Sequence, residues 1–177
     1  MSERFPSRRN PRIPGHNYAE AGWYFITMCT VGRSEILSTI RDGTAELTAM
    51  GETIIREWQR SESIRKEIEL DAFVIIPNHI HAIVRIVESS ERKNKKGLEK
   101  HSLSSFIAGF KSSVTKQLRS EGLSAESPWQ RGYYEHIIRD AEELQRIRIY
   151  IQNNPLRWEY DRDNMQVLKT RMNFVAG

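Results

Sequence analysis

The sequence predicts an α+β fold: a ferredoxin-like antiparallel sheet of βαββαβ order, helices on one face, and one further helix at the C-terminal end. Three observations predict it. Four runs rich in β-branched and aromatic residues read as strands. Helical periodicity separates the first from the second and the third from the fourth. A helix-start signal then follows the last strand.

Taken in order, Trp23 to Val31 (WYFITMCTV) reads as the first strand. Asp42-Gly43 is a tight-turn signal and predicts a small hairpin between Ile36 and Leu47. From Ala49 to about Ile64, Met50, Ile54 and Trp58 recur at four-residue spacing, which predicts a helix. Ile68 to Ile76 reads as a buried strand, Pro77-Asn78 as a turn, and His79 to Val87 as the next strand. Residues 88–101 (ESSERKNKKGLEKH) are charged and poor in apolar residues, as expected of a projecting loop. Leu103, Phe106, Ile107, Phe110, Val114 and Leu118 fit one helical face. Tyr133 to Ile138 reads as the last strand. Asp140 and Glu143 match a capping box, and the helix they open should run to Asn153 or Asn154, because Pro155 disfavours helical backbone before it.

The 177 residues, 38% of them hydrophobic, are enough for one well-cored domain. Residues 1–15 form a basic, proline-rich arm with Arg4, Arg8, Arg9 and Arg12, and residues 16–177 form the domain. The arm is either a solvated tail or a segment that lies on phosphates. No apolar run approaches the length of a membrane span, and the start of the chain lacks the apolar stretch of a secretory signal. The single cysteine, Cys29, has no partner for an internal disulfide, in keeping with a cytoplasmic setting. A net charge of +4 and a pI near 9.3 fit an anionic partner such as nucleic acid.

The chemistry concentrates in two places. In IPNHIHA (76–82), two of the five histidines stand two residues apart on a strand. Alternation puts His79, His81, Ile83, Arg85 and Val87 on one face, and Ile80, Ala82, Val84 and Ile86 on the other. Two such imidazoles can converge on one divalent metal, or serve as ordinary half-buried polar residues. On the last helix, Leu144, Ile147 and Ile151 make the buried stripe, while Tyr150 and Asn154 lie one turn apart on a neighbouring face. A phenol can act as nucleophile and a carboxamide oxygen as metal ligand. The plainer alternative makes Tyr150 a packing residue and Asn154 a helix cap.

These residues carry a resemblance. IPNHIHAIV resembles the His-hydrophobe-His strand of the HUH endonucleases, and RIYIQNNP resembles the tyrosine helix of their single-tyrosine transposases. AGWYFITMCTVGR, FIAGFKSSVTKQL and PWQRGYYEHIIRDAEEL are similar to other parts of the same group, in the same order, from about Pro11 to Arg162. The likeness is greatest to the REP-associated tyrosine transposases.

The resemblance implies metal-dependent nicking and rejoining of single-stranded, hairpin-bearing DNA through a 5′-phosphotyrosine intermediate. Position by position it implies Tyr150 as nucleophile and His79, His81 and Asn154 as ligands to Mg²⁺ or Mn²⁺. Ligand chemistry by itself makes two imidazoles suit Mn²⁺ or Zn²⁺ better than Mg²⁺; taken with the resemblance, Mg²⁺ in the cell and higher activity with Mn²⁺ are expected. Arg8, Arg9, Arg12, Lys111, Lys116, Arg119, Arg131 and Arg139 are candidate phosphate contacts, and Trp129, Tyr133 and Tyr134 candidate stacking residues for unpaired bases. Monomer and homodimer are both compatible with the resemblance. So is a domesticated protein that binds DNA hairpins without moving DNA.

Overall fold

The computed structural model describes residues 21–87 and 102–160. Within them four strands form the main sheet: β1 (Gly22–Cys29), β4 (Ile68–Ile76), β5 (His79–Ile86) and β6 (Tyr134–Ile138). β2 (Ser38–Arg41) and β3 (Thr44–Leu47) form a separate hairpin over the Asp42-Gly43 turn. The helices are α1 (Ala49–Ile64), α2 (Leu103–Ser120) and α3 (Ala141–Gln152), and a 3₁₀ segment (Pro155–Tyr160) follows α3.

The sheet order is β4-β5-β1-β6, and every adjacent pair is antiparallel. This is the ferredoxin-like arrangement, with β5 and β1 in the centre and β4 and β6 at the edges. The sequence expectation holds, and the element limits differ by one or two residues. The predicted arm, residues 1–15, and the charged stretch 88–101 lie outside the described residues.

Strand alternation divides the molecule into two layers. One face of the sheet meets α1 and α2. Tyr24, Ile26 and Met28 from β1, and Ile80, Ala82, Val84 and Ile86 from β5, pack there with Leu103, Phe106, Phe110, Val114 and Leu118. Trp58 of α1 stacks on Phe73 at 4.7 Å and meets Phe110 edge-on at 5.2 Å. α1 runs close to the chain before it: a Cβ on Gly51 would collide with the backbone carbonyl of Leu37.

The opposite face carries a much smaller apolar cluster. Its buried members are Ile83, Ile138 and Ile151, with Trp23, Phe25, Val74, Leu144 and Ile147 partly covered around them. α3 lies on this face. Its start is fixed by Asp140, whose side chain accepts a hydrogen bond from Glu143 N at 2.7 Å. The return arm of the expected capping box is displaced by one residue, because Glu143 accepts from Arg139 N rather than from Asp140. The other oxygen of Glu143 meets His136 Nε2 at 2.8 Å. α3 buries fully just one residue, Ile151, whereas α2 buries six. Polar contacts therefore carry a large part of its docking.

Candidate active site

Both histidines lie on the α3 face of the central strand, opposite the large core, as alternation predicts. His79 is fully buried and His81 nearly so. Their ring planes are inclined at 71° and their Nε2 atoms are 3.0 Å apart. Each outer nitrogen has a neighbour: His79 Nδ1 faces the carboxamide oxygen of Asn78 at 2.7 Å, and His81 Nδ1 faces Thr27 Oγ1 at 2.8 Å. A carboxamide oxygen only accepts, so His79 carries its proton on Nδ1 and leaves Nε2 bare. Burial, reinforced by the Arg33 charge, lowers the pKa of His79 to about 3, so its ring is neutral at physiological pH.

The Thr27 hydroxyl both donates and accepts, and it accommodates either tautomer of His81. When Thr27 accepts from Nδ1–H, His81 Nε2 carries a lone pair that faces that of His79. Two nitrogen ligands, each about 2.1 Å from a cation and at right angles around it, stand roughly 3.0 Å apart. The observed separation matches that geometry. When Thr27 donates instead, His81 Nε2–H bonds to His79 Nε2.

α3 brings the tyrosine to the same place. Tyr150 Oη is 3.4 Å from His81 Nε2, and the two ring centroids are 5.4 Å apart. Tyr150 is 38% exposed. Asn154 lies just past the end of α3. The capping residue is Asn153, not Asn154 as the plainer sequence reading allows. Asn154 is 1% exposed, and its Oδ1 is buried with no hydrogen-bond partner. A buried orphan acceptor costs roughly 1–3 kcal/mol unless something satisfies it. Along the chain Asn154 falls between Tyr150, which touches His81, and Trp158, whose ring is 6.1 Å from that of His79. Among the described residues no group of three or more His, Cys, Asp or Glu could hold a metal. The two imidazole nitrogens have a spacing that would fit a divalent cation, and the orphan carboxamide oxygen is of the chemistry such an ion takes.

Several residues that shape the site carry no sequence signal of their own. Arg148 forms a two-pronged ion pair with Asp71 of β4, at 2.9 and 2.6 Å. Asp71 lies in the stretch where the β4–β5 register shifts, between Leu70 and Phe73. Phe25 contacts both His81 and Tyr150, at 5.2 and 6.1 Å between ring centroids. Thr30 holds the turn before His79 through its backbone N–H and hydroxyl, both donating to Asn78 O.

Known proteins similar to this chain give its family. A family model described as "Transposase IS200 like" matches residues 22–154, which include all four candidate residues. The chain belongs to the IS200-like transposase family. A Haemophilus influenzae protein of unassigned function is 33% identical over 165 residues, 87% of this chain and 91% of that one. A second protein of that species, named as a candidate REP-associated tyrosine transposase, is 25% identical over 153 residues, 81% of this chain and 76% of that one. Among solved structures, a REP-associated tyrosine transposase bound to a REP hairpin superposes with a TM-score of 0.58 at 22% identity, covering 82% of this chain and 73% of that one. That likeness shows a shared fold.

The candidate DNA contacts divide. Arg8, Arg9 and Arg12 lie outside the described residues. Lys116, Arg131 and Arg139 are exposed. Lys111, Lys116 and Arg119 line an open cleft of about 540 Å³ along α2, on the sheet face away from the histidines. Lys111 is committed to structure: its ammonium donates to the carbonyls of Gln130 and Gly132, and burial lowers its pKa to about 8. Arg119 donates through Nε to Ala125 O. Trp129 is not available for stacking on bases. It is 6% exposed and packs in the main core, 6.1 Å from Phe110, because the 128–130 segment pairs with residues 29–31 at the end of β1. Tyr133 is half-buried against the same core and shares a hydrogen bond with Ser104. Of the three aromatic candidates, Tyr134 is the one left bare.

Proposed function

We propose that this IS200-like transposase is a metal-dependent endonuclease and strand transferase for single-stranded DNA, with Tyr150 as nucleophile and His79, His81 and Asn154 as ligands of Mg²⁺ or Mn²⁺. The observation that carries this reading is the convergence of two imidazole Nε2 atoms 3.0 Å apart on a tyrosine hydroxyl 3.4 Å from one of them. A divalent ion at that point supplies charge neutralisation at the scissile phosphate. The protein's own residues do the rest. Tyr150 Oη attacks phosphorus, the bond from phosphorus to the 3′-oxygen breaks, and the phenolic proton passes to the departing oxygen. The products are a 5′-phosphotyrosine and a free 3′-hydroxyl. A 3′-hydroxyl from a second strand reverses the step, so rejoining needs no nucleotide cofactor.

Neutral His79 keeps a lone pair available at any physiological pH, because burial suppresses its protonation. Thr27 and Asn78 orient the two rings. Tyr150 reaches His81 within one chain, which supports cleavage by a monomer. The substrate is a hairpin-bearing single strand, in keeping with the hairpin held by the structurally similar transposase, and the protein would work on DNA in the cytoplasm.

The test is a covalent-adduct assay. The protein is incubated with Mn²⁺ and labelled single strands from the DNA flanking its own gene, beside Tyr150→Phe, His79→Ala and Asn154→Ala. A band of retarded DNA on a denaturing gel is expected, lost with Tyr150→Phe and with chelator, and weakened by at least tenfold in the ligand variants. DNA binding without an adduct in Mg²⁺ or Mn²⁺ would favour a domesticated hairpin-binding protein. An adduct that survives Tyr150→Phe would refute the assignment of the nucleophile.

A further inference from the structure

Tyr134 is 49% exposed at the first residue of β6, on the same sheet face as the histidines. On that face, exposure falls along β6 from its first residue to its last. Ile138 is 6% exposed beneath α3, the His136 side chain is 37% exposed beside Glu143, and Tyr134 lies beyond the helix's cover. The strand register ties Tyr134 to the reaction centre. It pairs with Thr27 of β1, which pairs with His81 of β5, and the Thr27 hydroxyl touches His81 Nδ1. His81, Thr27 and Tyr134 thus form one row across three strands, about 10 Å long at two strand spacings.

The aromatic rings along this row are organised. Phe25 stands between two exposed tyrosines and meets both edge-on: Tyr150 at 6.1 Å and 79°, Tyr134 at 6.4 Å and 69°. Tyr134 is therefore braced by a neighbour while much of its surface stays open to solvent. A braced, uncovered aromatic ring next to a phosphate-handling centre suits one class of ligand above others, an unpaired nucleobase. Bases stack on such rings whatever their sequence, typically for about 1–3 kcal/mol each.

Building on the functional reading above, we infer that Tyr134 is a stacking platform for an unpaired base next to the phosphate that Tyr150 attacks. The row from His81 to Tyr134 spans the distance from a bound phosphate to a base within a nucleotide of it. Stacking there would hold the strand across the sheet and fix which phosphate enters the site. The platform consists of the ring face and not the hydroxyl, so Tyr134→Phe should preserve it.

The experiment separates this inference from the cleavage reading by measuring binding where no cleavage occurs. Tyr150→Phe protein serves as the parent, and Tyr134→Ala and Tyr134→Phe are added to it. Each is titrated with labelled oligothymidylate and with an abasic strand of the same length and backbone. Tyr134→Ala should weaken oligothymidylate binding about tenfold, Tyr134→Phe should change it less than twofold, and neither should alter affinity for the abasic strand. Equal loss on both strands would overturn the inference, since it would show a general surface effect. Unchanged binding in Tyr134→Ala, or no measurable preference of the parent for bases over the abasic backbone, would also overturn it. Adduct formation by Tyr150-intact protein is scored separately, so failure of the transferase chemistry leaves the stacking result readable.

Discussion

Neutralising Asp71 should loosen the tyrosine helix without disturbing the rest of the fold. Asp71→Asn keeps the shape of the side chain and its local bond to Ala72 N, but removes the charge that faces Arg148. The Asp71 and Arg148 side chains are 20% and 34% exposed, so solvent screens the pair in part. A charge-assisted, two-pronged bond is worth about 1.5–3 kcal/mol when shielded. With that exposure a contribution of roughly 1–2 kcal/mol is reasonable. The apolar side of the docking is of the same order, since Ile151 is the single fully buried residue of α3 and such a side chain contributes about 1.5–3 kcal/mol. A twelve-residue helix is marginal in water by itself. Losing the ion pair should therefore raise the open population of α3 by roughly 5–30-fold.

Hydrogen exchange reads this directly. Amides of α3 should exchange faster by that factor in Asp71→Asn, while those of α1 and the central strands hold their rates. Single-turnover adduct formation should fall, with strand affinity nearly unchanged. The reversed pair, Asp71→Arg with Arg148→Asp, should recover part of both. The Arg148 hydrogen bond holds the Asp71 carboxyl below its ordinary value of 3.8, so this support is intact above that pH and disappears as acid takes the carboxylate through its lowered pKa. Unchanged α3 exchange in Asp71→Asn would refute the idea that this pair seats the helix.

Other consequences follow from the same geometry. Thr27→Val removes the hydroxyl at His81 Nδ1 while keeping the shape of the side chain; Mn²⁺ affinity measured by calorimetry should fall about 10–100-fold. His79 has its pKa pushed from 6.5 to about 3, so the unfolded chain binds more protons than the folded one between those values. Folding stability in urea should thus be full above about pH 6.5 and decline as the pH falls towards 3, and His79→Gln should flatten that slope. Gly43 has φ +70°, and a Cβ there would strike the Leu156 side chain, which follows Asn154 in the chain. Gly43→Ala should cost at least about 1–2 kcal/mol from the backbone alone, read as a lowered urea midpoint. Adding Leu156→Ala should relieve the collision but not the backbone cost.

Much of this was legible in the sequence because it is local. The four-residue spacing of Met50, Ile54 and Trp58 marks α1, and strand alternation alone sends His79 and His81 to the face away from the large core. Asp140 announces the start of α3. What the sequence hides depends on residues far apart along the chain. Thr27 meets His81 across 54 positions, and Asp71 meets Arg148 across 77. The second contact also sits beside a register shift between Leu70 and Phe73, which no periodicity records. Trp129 looks like a surface aromatic in a polar segment, and it is the long-range pairing with Thr30 that turns it into the core. Asn154 is displaced by one residue from the cap position because the backbone turns at Asn153, and its carboxamide oxygen is buried without a hydrogen-bond partner.

The most direct test of the central claim is the chemical identity of the residue joined to DNA. Adduct formed in Mn²⁺ would be digested with nuclease and then trypsin, and the peptide covering residues 149–157 (IYIQNNPLR) examined by mass spectrometry. A nucleotide carried through a phosphate on Tyr150 is the expected result. An unmodified peptide, with the nucleotide on another side chain of the protein, would contradict it.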